Sequence, residues 1–75
     1  LEENIPSIRR EVSDLIGRKI TDQQSIEGML DLLLGFVPWD FGKEEFNKLN
    51  TYYSTIDPEA AKDYKRYYEE AISEE

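Results

Sequence analysis

The chain has 75 residues, with 17 acidic and 9 basic side chains, a formal net charge of −8, and neither cysteine nor histidine. Without these two residue types it can form neither a disulfide nor a thiolate or imidazole metal site, and it lacks the commonest general base near neutral pH. A chain this short makes at most one domain, with a net stability of roughly 3–5 kcal/mol. We therefore expect a single non-enzymatic domain over residues 1–75, with no cofactor and no metal. Because it starts at Leu1 rather than methionine, the sequence favours a domain trimmed or cut from a longer protein.

Basic residues are unevenly distributed, since residues 21–42 contain four acids and no base. Lysine and arginine dominate binding to nucleic acids and to anionic membranes, so both of these partners are disfavoured. The longest apolar run, residues 32–37, is far shorter than the ~20 residues that span a bilayer, and no signal-peptide pattern precedes the first helix. The composition therefore predicts a cytoplasmic protein that binds a protein partner or itself, with no small-molecule substrate.

The first helix is predicted over about residues 5–16, where apolar side chains recur at helical spacing in a narrow stripe. Pro6 is tolerated in its first turn. Gly17 is expected to end the helix by adopting the left-handed conformation. The basic residues in and after this helix are expected to pair with acids of the second helix, with a small anion-binding patch as the alternative; they are Arg9, Arg10, Arg18 and Lys19.

The second helix is predicted over about residues 22–37, with Thr21 as N-cap, Gln24 completing a capping box, and a following proline ending it. Its apolar side chains cover about 200° of its circumference, roughly twice the width typical of a surface helix. This width predicts either a helix central to the core or an exposed binding surface. Its polar strip includes Glu27 and Asp31, which we interpret as a solvated face, with a weak cation site as the alternative.

An aromatic connection follows, and the third helix is predicted over about residues 41–55 with Asp40 as its cap. The large rings of Phe36, Trp39 and Phe41 are typical of a cluster that caps one end of a bundle, and an exposed Trp39 in a docking groove is the alternative. The third helix carries a polar row that makes it the poorest helix former of the four. This row consists of Asn47, Asn50, Thr51 and Ser54.

The fourth helix is predicted over about residues 58–73, because Asp57 is a good N-cap and the proline after it suits the first helical position. Tyrosines concentrate in the last two helices, in two adjacent pairs with Tyr64 between them. They are interpreted as large core rings that pack against small alanines. The alternative is an edge-exposed row that includes Tyr52 and Tyr67 and binds a protein.

Together these elements predict an all-α, antiparallel four-helix bundle-like domain with the second helix central, because every connection is short. The residues carry no motif of a known family and no catalytic pattern. The leading hypothesis is a non-enzymatic protein-interaction or regulatory module, with homodimerisation as its close variant. The alternatives are an acidic inhibitor or immunity-like protein that binds a basic partner, and a structural domain of a longer protein. The residues expected at the binding surface are Leu32, Phe36, Trp39, Phe41, Tyr52 and Tyr67.

Overall fold

A computed structural model describes residues 5–73, so residues 1–4 and 74–75 of the expected domain lie outside the described part of the chain. The described residues form four α-helices that pack compactly, with no strand among them, which confirms the all-α, four-helix bundle-like prediction. None of these helices is long and apolar enough to cross a bilayer. The helices are α1 (Ile5–Gly17), α2 (Gln23–Leu34), α3 (Lys43–Ser54) and α4 (Pro58–Ser73), and a short 3-10 helix spans Val37–Trp39.

Helix α1 ends at Gly17, but the left-handed residue of its C-terminal cap is Lys19, with φ of 54°. The Lys19 N–H donates to the carbonyl of Ile16 at 3.1 Å, and the Ile20 N–H donates to the carbonyl of Leu15 at 3.0 Å. These two bonds make a Schellman motif, in which the left-handed position lies two residues beyond Gly17. The prediction of a left-handed Gly17 was therefore wrong, because the glycine stays in the last helical turn.

Helix α2 is capped by Asp22 rather than by Thr21. The Asp22 carboxylate accepts hydrogen bonds from the Ser25 backbone N–H at 3.2 Å and from its hydroxyl at 2.7 Å. Aspartate is at least as good an N-cap as threonine, and its charge also suits the positive end of the helix dipole. The helix ends at Leu34, three residues before the predicted boundary, because the Gly35 and Phe36 N–H groups already bond three residues back in a tightened last turn.

Helix α3 begins at Lys43, after two residues with positive φ. Asp40, at φ 54° and ψ 49°, ends the 3-10 helix, and the N-cap of α3 is Gly42 at φ 89°. The prediction that Asp40 caps α3 was wrong, because a capping side chain requires extended backbone and Asp40 is left-handed. The left-handed φ favours glycine at position 42, and a Cβ there would also lie 3.0 Å from the end of the Leu33 side chain, which would have to move. By contrast, Asp57 caps α4 as predicted, accepting the Ala60 N–H at 3.1 Å.

The core draws on all four helices, and α3 is the helix that contacts each of the other three. The sequence predicted that α2 is central, and α2 does bury Ile26, Leu30 and Leu33 completely. However, α1 packs mainly on α3 rather than on α2. The reason is that a narrow apolar stripe such as that of α1 can cover only one neighbour, and α3 offers it a continuous row of large side chains. The buried hydrophobic residues of α1 and α3 are Ile8, Val12, Phe46, Leu49 and Tyr53.

Candidate protein-binding surface

The six side chains expected at a binding surface lie in different parts of the molecule. Leu32, Trp39 and Tyr67 are exposed, at 45%, 65% and 42% of their surface, whereas Phe36, Phe41 and Tyr52 are half-buried. Only three of the six side chains are therefore open to solvent, and the contacts of each one show what it does in the fold.

The aromatic connection divides into a packed part and an exposed part. Phe36 and Phe41 contact each other edge to face, with ring centroids 4.9 Å apart, and both pack against the core cluster. Trp39 stays out in solvent, so the interpretation that all three rings cap the bundle holds for the phenylalanines only. Pro38 precedes Trp39 in the 3-10 helix, and its ring fixes one backbone dihedral angle of this turn.

The half-buried Tyr52 connects α3 to the segment that leads into α2. Its hydroxyl donates to the backbone carbonyl of Ile20 at 2.7 Å. This bond satisfies a loop carbonyl and holds Ile20 in position, so Tyr52 supports the region between α1 and α2.

The acidic strip of α2 is exposed at Asp31 and half-exposed at Glu27, in agreement with its interpretation as a solvated face, and two buried tyrosines also bind it. The Tyr53 hydroxyl donates to Glu27 at 2.5 Å, and the Tyr64 hydroxyl donates to Asp31 at 2.9 Å. The Gln23 amide donates to the Tyr53 hydroxyl at 3.1 Å and to the Asp57 carboxylate at 2.7 Å. We call this network the tyrosine–carboxylate ladder; it fastens α2 to α3 and α4.

The ladder keeps both phenols protonated. Burial, and then the Glu27 carboxylate, raises the pKa of Tyr53 from 10 to about 12. Burial and the Asp31 carboxylate likewise raise the pKa of Tyr64. Both phenols are therefore neutral near neutral pH and can donate their protons in hydrogen bonds to the two carboxylates.

The exposed Tyr67 lies at the edge of this network. Its ring contacts that of Tyr64 edge to face, with centroids 5.5 Å apart, and the Arg66 guanidinium lies 5.5 Å from its centroid. Stacking of this kind holds the ring in one place while one face remains open to solvent.

A groove runs between α1 and α2, because these two helices lie on α3 without packing closely on each other. Its apolar lining consists of Leu15 and Ile20 on one side and Met29 and Leu32 on the other. Gly28 also lines it, and a Cβ at this glycine would meet no atom within 4 Å. We call this feature the α1/α2 groove. Of the expected residues only Leu32 lines it.

The charged edge of the α1/α2 groove comes from α1. Glu11 and Asp14 line it together with one base, Arg18, while α2 contributes only the uncharged Gln24 and Ser25. Sequence analysis missed most of this groove. The one indication in the sequence was Gly28, because a glycine in a helix interior lowers stability by about 1 kcal/mol relative to alanine. In the structure no close contact at this position requires a glycine.

The pairing expected for the basic residues is also different. Arg9 pairs with Glu45 of α3, at 3.2 Å from Nε to the carboxylate, and Glu45 is only 8% exposed. Within residues 5–73 no ion pair joins the four bases of the α1 region to α2. The prediction of pairing with α2 was wrong because α1 packs on α3.

No group of three or more acidic side chains in the described part of the chain is arranged to hold a metal ion. Comparison with known proteins finds no matching family model, no matching curated protein and no matching solved structure. The function has to be inferred from the surfaces of the chain itself.

Proposed function

We propose that the chain is a non-enzymatic protein-interaction module whose α1/α2 groove binds an amphipathic helix of a partner protein. The observation that carries this proposal is the open apolar groove itself, with Leu32 45% exposed at its edge. An apolar stripe on a partner helix would remove these side chains from water, which is the usual mode of helix-in-groove recognition.

The dimensions of the groove suit a short helix. On α2 its lining runs from Gln24 to Leu32, which at about 1.5 Å per residue spans roughly 12 Å, or about two helical turns. Two turns present two or three apolar side chains on one face. Gly28 has no side chain to hold a partner backbone at a distance, so the approach to α2 can be close.

The charges favour a partner helix with basic flanks. Glu11 and Asp14 outnumber Arg18 along the edge of the groove, and the whole chain carries a net charge of −8. Opposite charge on the partner would speed association and orient it, while contributing less to affinity than the apolar contacts do. Homodimerisation through the same groove is the close variant, in which the occupant is a helix of a second copy.

Catalysis is the less supported alternative. The chain has no cysteine and no histidine, and the two tyrosines with raised pKa values hold their protons in hydrogen bonds to carboxylates. Side chains of this kind stabilise a fold and do not activate a nucleophile.

The proposal is tested by titrating the ¹⁵N-labelled protein with a helical peptide of leucine and lysine and recording amide chemical shifts. We expect the largest shifts at Gly28, Met29 and Leu32, and a loss of affinity of about tenfold, or ~1.4 kcal/mol, in Leu32→Ser. Ile72→Ser is the matched control, because Ile72 is 46% exposed and lies outside the α1/α2 groove.

An equal loss of affinity in Leu32→Ser and Ile72→Ser would show that the peptide binds exposed apolar surface in general, which contradicts the proposal. Light scattering of the free protein distinguishes the two occupants. A dimer at micromolar concentration that dissociates in Leu32→Ser favours a second copy, and a monomer favours a partner protein.

A further inference from the structure

A second groove, between α3 and α4, concentrates basic residues in an otherwise acidic molecule. Lys43 of α3 and Lys62 and Lys65 of α4 all line it, which places three of the chain's five lysines at one feature. Glu69 is the one acid among the described residues that line the groove, against three lysines. The adjoining face of α4 adds Glu59 and Asp63 beside Lys62 and Lys65, and Asp63 is paired there with Arg66. We call this feature the α3/α4 groove.

These three lysines make no ion pair with the acids of residues 5–73. The described ion pairs instead use arginines, with Arg9 bound to Glu45 and Arg66 bound to Asp63 and Glu70. The ammonium groups of the α3/α4 groove are therefore available to carboxylates of another molecule. Charges further away than about 8–10 Å are largely screened at physiological salt, so the local excess of lysines matters more there than the total of −8.

The side of the groove formed by α3 is uncharged and polar. It is the row of Asn47, Asn50, Thr51 and Ser54, which sequence analysis identified as the reason that α3 is a poor helix former. The Asn50 amide donates to the Ala61 carbonyl at 2.9 Å and is fixed by that bond. Amides and hydroxyls on this side can bond to polar groups of a bound segment without adding a charge that would repel it.

The base of the groove is apolar. Phe46 and Ala61 are buried beneath it, the rings of Phe46 and Tyr68 stack with centroids 4.5 Å apart, and Ile72 remains 46% exposed. A ligand that fits this surface needs apolar side chains as well as carboxylates. A free anion would use the lysines only and leave Ile72 in water.

We propose that the α3/α4 groove binds an acidic amphipathic helix of a protein. Its apolar side chains lie over Ala61 and Ile72, and its carboxylates face Lys43, Lys62 and Lys65. A nucleic acid fits less well, because its phosphates continue beyond the lysines to the adjoining face of α4, where Glu59 and Asp63 would repel them. A short acidic helix carries its carboxylates only where the lysines are. This site is independent of the α1/α2 groove, which is edged by acids and would repel the same ligand.

The probe is a fluorescein-labelled helical peptide of leucine and glutamate, about as long as the 12 residues of α3, and its binding is followed by anisotropy. We expect binding that weakens as salt rises, and a loss of affinity of about tenfold in the double variant Lys62→Glu/Lys65→Glu. The matched control is Lys19→Glu/Lys48→Glu, which changes the net charge equally at two exposed lysines outside the groove. Its affinity should fall by less than about threefold, because its new charges are mostly screened.

Circular dichroism checks that both double variants fold. An equal loss of affinity in the two variants, or no binding of the peptide to the unmodified protein, would overturn the proposal. So would preferential binding of a single-stranded oligonucleotide that is lost only in Lys62→Glu/Lys65→Glu, since that result would identify the lysines as a nucleic-acid site. A loss confined to Lys62→Glu/Lys65→Glu, together with weaker binding in Ile72→Ser, supports it.

Discussion

The two grooves of this small domain differ in how they arise. Helices α1 and α2 both pack on α3, and their backbones approach each other less closely than either approaches α3. The space left between them is lined by side chains of both helices. Helices α3 and α4 pack closely along their length, and the groove between them is the shallow surface of a continuous contact. The α1/α2 groove is open because α1 and α2 do not pack closely on each other. The α3/α4 groove is the outer surface of two helices that do.

The grooves also differ in charge. The α1/α2 groove is edged by Glu11, Asp14 and Arg18, whereas the α3/α4 groove is lined by three lysines and one acid. A net charge of −8 describes neither surface. Because electrostatic complementarity acts locally, our two proposals assign ligands of opposite charge to two surfaces of the same chain.

The largest expected effect comes from removing the support that both grooves share. Phe46→Ala deletes a ring that is 2% exposed and stacked on Tyr68. We expect a loss of roughly 3–5 kcal/mol, comparable to the whole stability of roughly 3–5 kcal/mol expected for this chain length. Thermal melts followed by circular dichroism should show a largely unfolded variant. Lys48→Ala, exposed on the same helix, is the control and should stay within about 0.5 kcal/mol. A cooperative, native-like melt of Phe46→Ala would mean that α3 is not the common support.

A smaller loss of stability is expected when one hydrogen bond that fastens α2 to α3 is removed. Tyr53→Phe keeps the buried ring and removes the hydroxyl bonded to Glu27. The expected loss is about 1–3 kcal/mol, since a buried hydrogen bond to a charged group is lost. Urea unfolding measures it. Tyr67→Phe, at an exposed ring, should change stability by less than about 0.5 kcal/mol. Equal effects of the two substitutions would show that the ladder contributes nothing specific.

The same ladder predicts how stability depends on pH. The folded pKa of Tyr53 is about 12, above the ordinary value of 10, because burial and Glu27 disfavour the phenolate. A group with a raised pKa contributes its stabilisation fully below the unfolded pKa and loses it as pH rises through the folded value. Urea midpoints should therefore fall between about pH 10 and pH 12, and less steeply in Tyr53→Phe. Parallel curves for the two proteins would contradict this assignment.

Much of the fold follows from local sequence. The Asp57 cap predicts the start of α4, and the bounds of that helix agree with the prediction. Where two local patterns compete, prediction fails by a few residues. Asp22 and Thr21 are both acceptable N-caps, and the end of α2 depends on a tightened turn that hydropathy does not reveal.

The candidate surfaces were less predictable, because they depend on which helices become neighbours. The apolar stripe of α1 predicts that this helix packs against another element. It does not predict that this element is α3, or that Leu32 of α2 remains exposed. The ladder needs Tyr53 of α3 and Tyr64 of α4 to meet acids of α2 at one register, which no spacing within a single helix specifies. Phe36 and Tyr52 were predicted at the binding surface because they are large aromatic residues, but in the structure both pack against the core.

The cap between α1 and α2 supplies a smaller test of the α1/α2 groove. Lys19 has φ of 54°, which is costly for a residue with a side chain. Lys19→Gly should raise stability by roughly 0.5–1 kcal/mol, whereas Lys19→Ala should not, because alanine keeps the Cβ. Thermal melts compare the two. Ile20, the next residue, lines the α1/α2 groove, but Lys19 itself does not. If Lys19→Gly only removes backbone strain and leaves Ile20 in place, the affinity for the leucine–lysine peptide should be unchanged. Lower stability in Lys19→Gly would contradict the cap as described.

The smallest expected effects are those of Gly28→Ala on stability and on peptide affinity, which should change in opposite directions. Gly28→Ala adds a methyl group that meets no neighbouring side chain or segment among residues 5–73, so it should raise stability by up to about 1 kcal/mol through helix propensity alone. The same methyl group stands where a partner backbone would approach, so affinity for the leucine–lysine peptide should fall. Gly17→Ala is the matched control, because its added methyl group also meets nothing but lies outside the groove. A gain in stability with no loss of affinity in Gly28→Ala would mean that the partner does not approach α2 closely, and that Leu32 is the edge of the site rather than its centre.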